Sequence, residues 1–103
     1  MTQPSKLRVL HLRYRKDIDI DLYGGLTVAY NWNRGDTFIE VATAVCSKQD
    51  LFNRKVGNRL ATDAFNDGKT IRVPYRRELQ SAGLTPTTYV RSLFASHAFS
   101  ELN

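Results

Sequence analysis

At 103 residues the chain suffices for one domain, residues 1–103, with a single modest core; it is too short for a catalytic domain joined to a binding domain. Its 42% hydrophobic and 24% charged residues exclude a disordered chain, and 15 Lys and Arg against 10 Asp and Glu give a net charge of +5, a balance that suits polyanionic partners. One cysteine excludes an intrachain disulfide, and no apolar run approaches the roughly 20 residues of a membrane span, so no membrane and a reducing, cytoplasmic setting are expected.

Residues 1–6 are polar and contain Pro4, a short lead-in without the apolar region of an export signal. Residues 7–15 alternate as a half-buried strand, with Leu10, Leu12 and Tyr14 on one face and His11, Arg13 and Arg15 on the other. Residues 17–22 alternate again, placing Ile18, Ile20 and Leu22 opposite Asp17, Asp19 and Asp21. Tyr23-Gly24-Gly25 reads as a tight turn, residues 26–32 as the next strand, and Asn33-Arg34-Gly35-Asp36 as a second hairpin. Residues 37–46 close the meander with Ile39, Val41 and Val45 on one face and Phe38, Glu40, Ala42 and Ala44 on the other. The small residues on that second face invite a helix to approach closely.

That helix is expected over residues 48–66, with Ser47 as N-cap, Asp50 in its first turn and Gly68 just past its end. At 100° per residue Phe52, Val56, Leu60 and Ala64 make an apolar stripe bordered by Gly57 and Ala61, while Lys55 and Arg59 face away. Residues 70–75 follow as a strand that Pro74 assigns to an edge, with Ile71, Val73 and Tyr75 on one side. Residues 76–82 are weakly helical, and a C-terminal helix over 86–101 begins with Thr85 as N-cap and Pro86 at the first helical position. The fold class is therefore α+β: an antiparallel β-meander with a central amphipathic helix packed on it, an edge strand and a C-terminal helix.

No residue set demands a reaction. The row Asp17, Asp19, Asp21 spaces its carboxylates by about 7 Å along a strand, too far apart for one ion without a bend, so a metal-dependent nuclease is the lesser alternative and no metal or cofactor is expected. His11 and His97 are too few for a relay, and no glycine-rich loop precedes a helix. Cys46 lies just before the expected helix cap, where the dipole favours a thiolate, although a lone cysteine there also reads as a small core residue. The basic side chains carry more. Lys48, Lys55 and Arg59 form a ridge that Arg54 extends, and Tyr75, Arg76 and Arg77 form a second cluster suited to phosphates and bases or to acidic side chains. A non-enzymatic binding protein is expected, with the partner site on the ridge.

Cys46-Ser47-Lys48, Asp50, Phe52, Arg54-Lys55, Gly57 and Ala61, directly after a strand, resemble a pattern in small, mostly uncharacterised proteins of tailed bacteriophages, over about a quarter of the chain. The resemblance implies action in an infected bacterial cytoplasm, by binding: inhibiting or redirecting a host bacterial protein with an acidic surface, or else serving phage nucleic-acid metabolism through DNA-binding.

Overall fold

A computed structural model describes residues 7–13, 15–16, 19–20 and 23–100, the side chains of 15, 16, 19, 20, 48 and 96–100 excepted. The described strands are β1 (Arg8–Leu12), β2 (Arg15–Lys16), β3 (Asp19–Ile20), β4 (Tyr23–Asn31), β5 (Phe38–Leu51) and β6 (Ile71–Pro74); the helices are α1 (Arg54–Asn66), α2 (Arg77–Ser81) and α3 (Pro86–Ser100). An antiparallel sheet runs in the order β1-β4-β5-β6, while β2 and β3 pair with each other. The α+β class expected from the sequence is the one that forms, with β6 at an edge and α3 at the C-terminal end.

Alternation decides what each sheet face carries. The register sets Leu10 beside Val28, Leu12 beside Leu26, Tyr30 beside Val41 and Ile39 beside Val73, so these side chains share one face. With Tyr75 and Val90 of α3 they make the core, Val28, Ile39, Val41 and Val90 being wholly buried. The opposite face presents His11, Thr27, Ala29, Ala42 and Ala44, and α1 packs across it. A Cβ built on Gly57 would lie 2.3 Å from Thr27 Oγ1, and Ala61 is fully buried, so α1 does approach through its small residues as expected.

The first part of the sheet differs in its pairing. β1 pairs directly with β4, and the short pair β2–β3 falls between them in the chain; the expected strand over 17–22 lies outside the described residues except for the backbone of Asp19 and Ile20. Tyr23-Gly24-Gly25 is strand rather than turn. Gly25 has a φ of 156°, and a Cβ there would fall 2.5 Å from the Phe52 ring. Its lack of a side chain makes room for that ring against the backbone.

The start of α1 also differs. β5 runs through Cys46 to Leu51, its ladder shifting where Gly25 faces Cys46 and Tyr23 faces Leu51, so residues 47–50 bulge out opposite Gly24. Ser47 Oγ accepts from the Gln49 N–H inside this bulge, and the cap belongs to Asn53, whose Oδ1 accepts from Lys55 and Val56 N–H at 2.9 and 3.2 Å. Both residues satisfy orphan donors, but only Asn53 sits where three more turns of helix can follow. The far end is as expected: Gly68, at φ 79°, closes α1 with bonds from its N–H to Phe65 and from Lys69 N–H to Ala64. Thr85 caps α3 through the Thr88 N–H.

Candidate functional site

Because the small residues of α1 face the sheet, its larger apolar ones do not. Val56 and Leu60, placed by the sequence in the packed stripe, are 42% and 48% exposed, at one border of the contact. Together with Val45 and Leu51 of β5, themselves 62% and 64% exposed, they line a groove of about 310 Å³ with Thr27 and Gly57 also in its wall. Exposed apolar residues gathered in one concavity mark interaction surfaces, whereas single ones do not. Periodicity alone gave no sign of this groove, since it forms only where α1 overhangs β5.

The groove adjoins the positive end of α1, with Asp50 in its lining. Asn53 and Phe52 lie in its lining, and the next two residues are Arg54 and Lys55, both exposed, in a first turn that holds no acidic residue. The last turn holds no basic residue, and Asp63 and Asp67 lie toward that end. α1 is thus charged against its own dipole, at about 0.3–1 kcal/mol for each misplaced charge. Arg59 continues the row outward and is exposed. Lys48 is not on α1: its backbone lies in the β5 bulge, and its side chain is outside the described residues.

The second expected cluster separates. Arg76 and Arg77 are exposed at the start of α2, but Tyr75 is 2% exposed, stacks on Tyr89 at 5.4 Å, meets Trp32 edge-on at 5.5 Å and donates to the Leu84 carbonyl. It is a core residue, and the aromatic half of that expected surface is absent. Arg72 pairs with Glu40 at 3.6 Å and lies over the Phe38 ring, a surface cover for the sheet edge.

Phe52, just ahead of the cap, meets His11 edge-on at 5.6 Å and takes the Arg13 guanidinium over its ring at 5.0 Å. His11 Nδ1 lies 3.0 Å from Thr27 Oγ1. Burial, then the charges of Arg54 and Arg13, hold the His11 pKa below its ordinary 6.5. In acid the unfolded chain therefore takes up this proton first, so the stability His11 contributes is complete above pH 6.5 and is lost as pH falls through its lowered folded value. Thermal melts should show Tm declining below that pH in the parent and less so in His11→Gln; parallel profiles would mean that another group sets the decline.

Cys46 does not adjoin a helix end. It lies in β5 opposite Gly25, its thiol directed at the carbonyls of Ser47, Asp50 and Leu51 at 3.6–3.7 Å. The Asp17, Asp19, Asp21 row falls outside the described residues, the backbone of Asp19 apart, and among the described residues no three His, Cys, Asp or Glu cluster as metal ligands. No described helix is long and apolar enough to cross a membrane. Compared with known protein families, with curated proteins and with solved structures, the chain matches none.

Proposed function

We propose that this protein is a non-enzymatic binding protein that inhibits or redirects another protein, a bacterial host protein if the tailed-phage resemblance holds. The observation that supports this reading is the coincidence of an apolar groove with the mischarged, positive end of α1. Placing Arg54 and Lys55 there weakens the isolated helix, and such local conflicts are expected where a surface serves a partner. An acidic protein surface with apolar side chains satisfies both halves of the site. A nucleic acid matches the charge but leaves the aliphatic wall of Val45, Leu51, Val56 and Leu60 without a counterpart.

Pull-down from bacterial lysate with and without nuclease separates the two. The captured partner should survive nuclease and be lost when Lys55 and Arg59 are both replaced by glutamate, with the melt unchanged or slightly raised, because both side chains are exposed and the Lys55 change relieves the first turn of α1. The on-rate of the parent should slow with salt while dissociation changes little. Capture abolished by nuclease, with an affinity falling steeply with salt, would replace this reading by the nucleic-acid one.

A further inference from the structure

The groove runs beside a strand edge that is itself unpaired. β6 pairs with β5 only over residues 38–41, and among the described residues no strand lies along residues 43–46 on that side. Such an edge presents backbone N–H and C=O groups to any chain that can extend beside it, and proteins usually blunt it with charge, proline or a covering element. β6 has Pro74; Thr43, Ala44, Val45 and Cys46 supply neither charge nor proline. Val56 and Leu60 share the groove lining with Ala44, Val45 and Cys46 of this stretch.

We infer that this edge receives an extended segment of a partner protein, apolar at alternate positions and acidic at its flank, which adds to β5 beside residues 43–46. The inference rests on the protein-binding reading above and names what the partner presents. Strand addition gives affinity through the main chain and specificity through pockets for alternate side chains, and here the groove is the pocket. Charge sets the flank: among the described residues that line the groove Asp50 is the one acid, and the positive end of α1, with Arg54 and Lys55 in its first turn, adjoins it.

A second copy of this chain fits poorly. Paired about a two-fold axis between Ala44 and Val45, its residues 38–41 would face residues 48–51, and its own β6 already fills the space between them. Only residues 43–46 would remain in contact, far short of a stable interface. An isolated peptide strand meets no such obstacle.

A displayed library of random, roughly ten-residue peptides provides the probe. Selection on the parent should enrich sequences with apolar residues two apart beside Asp or Glu. A synthetic copy of an enriched peptide should slow amide exchange at residues 43–46 by at least about tenfold at saturation. Val45→Lys and Leu60→Glu, both at exposed positions, should keep the parent melt and weaken that peptide by roughly tenfold or more. Absence of enrichment, enrichment at helical i, i+3, i+4 spacing, or slowed exchange confined to α1 would each overturn the inference. Any of these results beside a nuclease-resistant lysate partner removes strand addition and leaves the binding reading standing. A lysate partner that proves to be nucleic acid removes the binding reading instead.

Discussion

Tyr75→Ala should lower stability by about 3–5 kcal/mol, a fall of roughly 15–30 °C in Tm for a domain of this size. The ring is 2% exposed between Trp32 and Tyr89, so truncation leaves a cavity between β6 and α3 that rigid neighbours fill only in part. The hydroxyl adds a separate loss, because the Leu84 carbonyl that it donates to is left without that partner. Tyr75→Phe isolates this second effect and should cost about 1–2 kcal/mol. Arg76→Ala and Arg77→Ala, at exposed neighbours, should leave the melt within about 0.5 kcal/mol of the parent. A Tyr75→Ala chain that melted like the parent while losing its partner would return this residue to the surface and undo the core assignment.

The alternation through Val73 and Tyr75 already directed that ring inward, and a reading by strand period alone would have placed it in the core. Other features were equally legible. Thr85-Pro86 and Asp67-Gly68 are local chemistry, satisfied within a few residues of themselves, and both ends lie where the sequence puts them. The start of α1 was not legible in that way. Ser47 and Asp50 carry the pattern of a helix start, but the same short polar side chains also satisfy a bulge, and the choice depended on Gly24 and Gly25 of a strand more than twenty residues earlier. The packed face of α1 was ambiguous for a different reason. Val56 with Leu60, and Gly57 with Ala61, both recur at helical spacing, so periodicity permits either to face the sheet. The sheet decides, since Thr27, Ala42 and Ala44 leave a shallow surface on which small residues bring the backbones closest. That choice expels Val56 and Leu60 to the border and creates the groove, which no single stretch of sequence encodes.

Gly57→Ala tests this choice and should destabilise by about 1–2 kcal/mol net, although alanine is the better helix former by about 1 kcal/mol. The new methyl would begin 2.3 Å from Thr27 Oγ1, on a side chain that is wholly buried and held toward His11 Nδ1 at 3.0 Å. Either α1 lifts from the sheet or Thr27 turns away and gives up His11; each outcome costs packing or a hydrogen bond. In a Thr27→Ala background the obstructing oxygen is gone, and the same Gly57→Ala change should become neutral or stabilising, a coupling of about 2 kcal/mol between the two positions. Thr27→Ser keeps the oxygen and should keep the penalty, which separates the hydroxyl from the methyl group. The groove supplies a second readout, because Thr27 and Gly57 both lie in its wall. Lifting α1 moves Val56 and Leu60 away from β5, so a ligand held between them should weaken in Gly57→Ala and recover in the double variant. A Gly57→Ala chain that melts above the parent would mean that α1 does not lie this close to β4, and the groove that depends on its overhang would lose its basis as well.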